Sequence, residues 1–126
     1  MKRFTLTEAE ALIPELEKIF EAVADLAAQA QAKAGLVQRL EEKHSNPADL
    51  AMARSQIQFL TVQIEAKLQS IIDLGAMPKG LEPALVDFPA RVGGRDAFLC
   101  WKLGEKRITA YHGPDDGFAG RQLLPR

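Results

Sequence analysis

The sequence predicts an α+β fold, with a long antiparallel two-helix hairpin followed by a small three-stranded antiparallel β-sheet. Three observations carry that expectation. Apolar residues recur at alternating four- and three-residue spacing over two long stretches, which is the seam pattern of packed helices. The two stretches are separated only by Ser45-Asn46-Pro47, so the helices must run antiparallel. After Gly75 the spacing changes from helical to alternating, and six of the nine glycines crowd between Asp87 and Arg121. At 126 residues the chain has the size of one domain. Its hairpin should cover about 7–75 and its β module about 84–126.

The first helix starts at a capping-box pattern, Thr7-Glu8-Ala9-Glu10, where Thr7 can accept from the backbone at position 10 and Glu10 can reach back. Phe4 and Leu6 precede it and can fold onto the first turns. The seam then runs Leu12, Leu16, Ile19, Val23, Leu26 and Ala30, is broken at Lys33, and resumes at Val37 and Leu40. Pro14 removes a hydrogen bond about two turns in, so the helix should bend there or begin properly near it. The helix should end near Lys43, which leaves His44 as an exposed helix-end histidine. Asn46 is a good N-cap and Pro47 suits the first position of the second helix. Its seam is Ala53, Ile57, Leu60, Ile64, Leu68, Ile71 and Leu74, broadened by Leu50, Phe59 and Ile72. Gly75 is the natural C-cap, and Pro78 prevents continuation. Two helices cannot enclose such a seam alone. The β module, a second subunit, or both must cover the rest, which points to a homodimer formed through the helices.

In the β module, Gly80-Leu81-Glu82-Pro83 reads as a linker turn. Leu85-Val86-Asp87-Phe88 reads as a short strand ended by Pro89. Val92-Gly93-Gly94-Arg95 reads as a tight turn. Ala97–Lys102 and Arg107–His112 read as the second and third strands. A two-residue loop at Gly104-Glu105 would place Trp101 opposite Ile108, Leu99 opposite Ala110 and Ala97 opposite His112. Cys100 would then face Thr109, away from His112, and Glu105 would sit at the far hairpin tip. The apolar face of Leu99, Trp101 and Ile108 would lie on the helices.

Composition narrows the function classes. Sixteen basic and seventeen acidic side chains balance to a net charge of −1, whereas a general nucleic-acid binder needs a basic face. The single Cys rules out an internal disulfide and a multi-thiolate metal site. No apolar run approaches the ~18 residues that cross a bilayer. Glu8 and Glu10 interrupt the N-terminus before any apolar signal region forms. The expected location is the cytoplasm, with no membrane partner.

Several stretches resemble a known family. They are Phe4-Thr5-Leu6-x-Glu8-Ala9, Leu85-Val86-Asp87-Phe88-Pro89, Leu99-Cys100-Trp101-x-Leu103-Gly104-Glu105, Tyr111-His112, and Gly117-Phe118-Ala119-Gly120-Arg121. The chain is similar along its whole length to the bacterial family catalogued as domain of unknown function 2203, with Tyr111 standing where that family has Trp. The resemblance implies a complete domain and transfers no catalytic residue.

Candidate site residues follow from side-chain chemistry. Asp87, Arg95 and Arg121 are the ligand-binding candidates, because arginines beside glycine-rich turns can hold a small anion bidentately. The structural alternative for Arg121 is an ion pair with Asp87, Asp115 or Glu105. His112, Asp115, Asp116 and Glu105 are the metal candidates, with Asp87 and Cys100 as further donors in the sheet, and a divalent metal is the cofactor they would take; the register above faces Cys100 away from His112, which counts against one site using all of them. The spacing matches no established ligand motif. A Cys100–His112 nucleophilic pair is disfavoured by the register above. The leading expectation is therefore a cytoplasmic, helix-mediated dimeric interaction or scaffold protein with a ligand- or partner-contacting β module. The alternative is a small metal-dependent or anion-binding enzyme with its site in that module.

Overall fold

Thr5, not Thr7, caps the first helix: its hydroxyl accepts from the Glu8 backbone N–H at 3.1 Å, and Glu8 accepts from the Thr5 N–H at 2.9 Å. Both threonines have a glutamate three residues on, so local pattern alone does not choose between them. Two long-range contacts decide it. Phe4 is buried edge-on against Phe88 at 5.1 Å between ring centroids, which fixes where the chain enters the helix. Glu10 is engaged elsewhere, accepting from the Ile108 backbone N–H at 2.8 Å. The computed structural model describes residues 2–125.

The helices are α1 (Leu6–Ala11), α2 (Ile13–Glu42) and α3 (Pro47–Asp73). The expected first helix is thus two, parted at Leu12 just before Pro14, as the missing proline donor requires. The α2–α3 turn forms as expected. Asn46 Oδ1 accepts from the Ala48 N–H at 2.8 Å, and His44 takes a left-handed conformation (φ 49°) at the exposed end of α2. At the end of α3 the Ala76 N–H reaches Ile71 O (3.3 Å) and the Gly75 N–H reaches Ile72 O (2.9 Å). This pairing, with Gly75 at φ 97°, is the Schellman cap that glycine permits.

Among the described residues the sheet has five strands rather than three: β1 (Met77–Leu81), β2 (Ala84–Val92), β3 (Arg95–Lys102), β4 (Ala110–His112) and β5 (Gln122–Leu123). They form an antiparallel meander in chain order. β1 falls partly on the expected linker turn. Pro78 and Gly80 hide its alternation, and the register shifts between those two residues. Pro89 does not end β2. Its carbonyl accepts from the Phe4 N–H at 2.7 Å. In a strand, a residue's N and C=O point to the same side, so the missing donor faces the Phe4 side and costs β3 nothing. Gly93 and Gly94, both at positive φ, make the two-residue turn between β2 and β3.

The chain divides into two compact units. One takes the chain up to Phe20 and from Ser70 onward. Its core face pairs Val86 with Trp101, Phe88 with Leu99 and Ala90 with Ala97 across β2 and β3, all buried. Phe20 packs on Trp101 at 6.2 Å, and Leu16, Ile71 and Ile108 are fully enclosed. The second unit, Glu21–Gln69, holds the hairpin arms of α2 and α3. Leu36 and Leu40 lie opposite Met52 and Ala53, and Leu26 lies opposite Gln63 and Ala66, the order an antiparallel pair demands. Ala53 and Leu60 are buried there, while Met52, Phe59 and Val62 are 61%, 64% and 54% exposed.

Candidate functional site

The third turn of the β module departs most from expectation, and it builds the site. β4 begins only at Ala110, and residues 103–109 leave the ladder as a longer loop. Three contacts hold that loop. Trp101 Nε1–H donates to Glu105 O at 2.9 Å, the Lys102 N–H donates to Glu105 Oε1 at 2.8 Å, and Ile108 is tied to Glu10. The register that results sets Phe98 opposite His112, Leu99 opposite Tyr111 and Cys100 opposite Ala110. This is one residue away from the two-residue-loop register, and a one-residue slip moves every side chain of a strand to the other face.

His112 therefore lies on the face away from Trp101, together with Cys100 and Asp87. Asp87 and Cys100 are direct partners across β2 and β3. The expected separation of Cys100 from His112 is overturned. All three side chains are buried, and one donor atom from each lies within 4.8 Å of the others. His112 Nδ1 donates to Gly113 O at 2.8 Å, since a carbonyl can only accept, and Nε2 lies 2.9 Å from Asp87 Oδ2. One proton is shared in that second contact. Both ring nitrogens are thus committed inside the fold, and no buried side-chain nitrogen or oxygen among the described residues lacks a partner. Burial pushes the Cys100 thiol up to about 11. The nearby Asp87 carboxylate adds to the rise, and the Arg121 guanidinium pulls the other way. A thiol so held is not a nucleophile near neutrality.

The segment after β4 covers this face. Asp87 and His112 line a cavity of about 410 Å³ with Lys79, Phe98, Asp115 and Phe118. Arg121 stands at 30% side-chain exposure, 3.5 Å from Glu105 Oε2, with its guanidinium 4.3 Å from the Phe118 ring centroid. Of the partners expected for Arg121, Glu105 is the one found. Glu105 is not at a remote hairpin tip, as the shorter loop would require, because the longer loop brings it back to Lys102 and Arg121. Asp116 turns its carboxylate onto the Gly113 N–H at 3.3 Å, and Asp115 is exposed at the cavity rim. Neither shares the three-donor cluster, and nor does Glu105. Arg95 is exposed beside the Gly93-Gly94 turn. It lies five strand positions from Cys100, about 17 Å at strand rise, and so does not join Asp87 and Arg121. The surface cluster at that end is instead Arg3 and Arg91 on Asp96, at 3.1 and 3.5 Å.

The expected register wrongly set Cys100 apart from His112, and sequence reasoning missed Lys79 as a wall of the cavity and Glu10 as an anchor of the 103–109 loop. The glycine and three charged residues of Gly104-Glu105-Lys106-Arg107 were the available hint of a longer loop. Nothing local pointed to Glu10, which lies 98 positions away from its partner.

The comparison with known families matches residues 2–124 to the model described as an uncharacterized conserved protein, DUF2203. The chain belongs to the DUF2203 family. No curated protein and no solved structure matches it. Membership brings no reaction to the DUF2203 chain, so its chemistry rests on the cluster and the cavity beside it. No helix among its described residues is long and apolar enough to cross a membrane.

Proposed function

We propose that this protein is a binding module rather than a nucleophilic or acid–base enzyme, with copies paired through the helices and a β module that contacts a ligand. The observation that carries the reading is the state of the two reactive side chains. Cys100 is buried as a thiol, and both ring nitrogens of His112 are already bonded within the fold. The thiol keeps its proton and the imidazole is bonded at both nitrogens, so neither stands as a free nucleophile, yet a cavity of about 410 Å³ stands beside them. Pairing of copies is favoured by α3, where Met52, Phe59 and Val62 recur at seven- and three-residue spacing and are all more than half exposed. That spacing is a coiled-coil seam without its partner.

Light scattering at micromolar concentration tests the pairing. The wild-type protein should show twice the chain mass, and Phe59→Glu should show one chain mass with unchanged helical circular dichroism. A wild type that stays at one chain mass would end the dimer reading. A second reading, a metal-dependent protein, is favoured by a separate observation, the convergence of a carboxylate, a thiol and an imidazole on one face of the sheet.

A further inference from the structure

We propose that Asp87, Cys100 and His112 bind one divalent transition-metal ion of the zinc type. The inference is independent of whether copies pair through α3. Donor chemistry comes first. One thiolate, one imidazole and one carboxylate make a mixed sulfur, nitrogen and oxygen set that suits zinc and its neighbours, not calcium or magnesium, which take oxygen alone. Two negative ligands and a neutral imidazole also balance a doubly charged ion.

Geometry comes second. The three donors lie within 4.8 Å of one another on three adjacent strands, with Asp87 directly opposite Cys100 and His112 beside Phe98 on β4. Metal–ligand bonds of about 2.0–2.3 Å put tetrahedral ligands roughly 3.3–3.7 Å apart. The Asp87 and His112 donors, 2.9 Å apart, therefore need to open by roughly half an ångström, and no donor pair needs to close by more than about 1.5 Å. His112 is already oriented for this. Its Nδ1–H is held by Gly113 O, the outer contact that aims a ligating imidazole and fixes its tautomer. Nε2 is left pointing at the Asp87 oxygen, with only a proton between them.

Burial comes third. A carboxylate and an imidazole enclosed on a sheet face do not stabilise a fold better than apolar residues of similar size. The same residues are what an enclosed metal site requires. Asp87 and His112 also line the cavity, so a fourth coordination position can open toward solvent or a ligand. Cys100 is buried and is not part of that lining. The ion replaces the proton shared by Nε2 and Oδ2 and the proton on Sγ, so two protons leave as one ion binds and Nδ1–H stays on Gly113 O.

The composition makes the test direct, because Cys100 is the only cysteine of the chain. Any thiolate-to-metal charge-transfer band must come from it. Reduced, chelator-stripped protein is titrated with Co²⁺ alone. The expected result is one equivalent bound, a near-ultraviolet thiolate–cobalt band, the visible bands of a four-coordinate ion, and release of two protons in lightly buffered solution. Cys100→Ser should remove the charge-transfer band and weaken binding beyond the roughly 10–100-fold that loss of an outer-shell contact causes. Glu65→Gln, exposed on the hairpin arm of α3, should change neither. A folded wild type that takes up no cobalt, or takes it up without a thiolate band, overturns the proposal. So does uptake that falls with Glu65→Gln. If Cys100→Ser does not fold, the wild-type spectrum decides alone.

Discussion

Cutting the Asp87–His112 contact should cost the β module several kilocalories, and cutting both ends should cost much less than the sum. The two side chains are 6% and 4% exposed and 2.9 Å apart. Asp87→Ala leaves a buried imidazole facing nothing, and His112→Leu leaves a buried carboxylate. Breaking one side of a buried pair costs about 3–5 kcal/mol, whereas replacing both sides by apolar groups is close to neutral. The double variant should therefore recover at least ~2 kcal/mol relative to the sum of the singles. Urea unfolding in the presence of chelator, followed by the fluorescence of Trp101, reads this locally. Trp101 is the only tryptophan and is fully enclosed in the same unit. With a slope of roughly 2 kcal/mol per molar urea, each single variant should lower the midpoint by about 2 M, and the double variant by clearly less than 4 M. If the two losses simply add, Asp87 and His112 do not interact energetically, and the reasoning from their burial and 2.9 Å contact fails.

Two further perturbations follow from the same structure. The Cys100 thiol is raised from an ordinary 9.0 to about 11, so the folded form keeps its proton where the unfolded form has lost it. The resulting stability is fully present below pH 9 and is lost as pH rises through 11, by up to about 3 kcal/mol. Urea midpoints measured across that range should fall in the wild type and flatten in Cys100→Ala; equal slopes would remove the thiol as the cause. Gly75, at the cap of α3, and Gly35, inside α2, should respond in opposite senses. Gly75→Ala forces a left-handed residue 3.3 Å from Lys2 and 3.4 Å from Phe4 and should cost about 1–2 kcal/mol. Gly35→Ala, within α2 and 3.5 Å from only the Arg39 side-chain tip, should gain roughly 0.5–1 kcal/mol. Thermal melts that rank the two variants the other way would contradict the cap assignment.

The sequence by itself determined the parts of this protein that local physics controls. Four-and-three spacing placed α2 and α3. Asn46-Pro47 and Gly75 set their ends, because side-chain capping and positive φ are properties of single residues. The pair Gly93-Gly94 set the β2–β3 hairpin for the same reason. Pro14 announced a break that fell at Leu12. Tertiary structure decided what depends on partners far along the chain. Thr5 won the cap over Thr7 because Phe4 is held on Phe88 and Glu10 is held by Ile108. Pro89 stayed inside β2 because Phe4 takes the edge its nitrogen faces. Above all, the 103–109 loop is longer than the shortest turn that would close the hairpin. Its extra length is stabilised by Glu105 and by Glu10, neither of which alternation in a strand can reveal. That single shift of register carried His112 from the side of Trp101 to the side of Cys100 and Asp87. The residues of the cluster were legible one by one, but that they meet is a consequence of loop length, which only packing fixed.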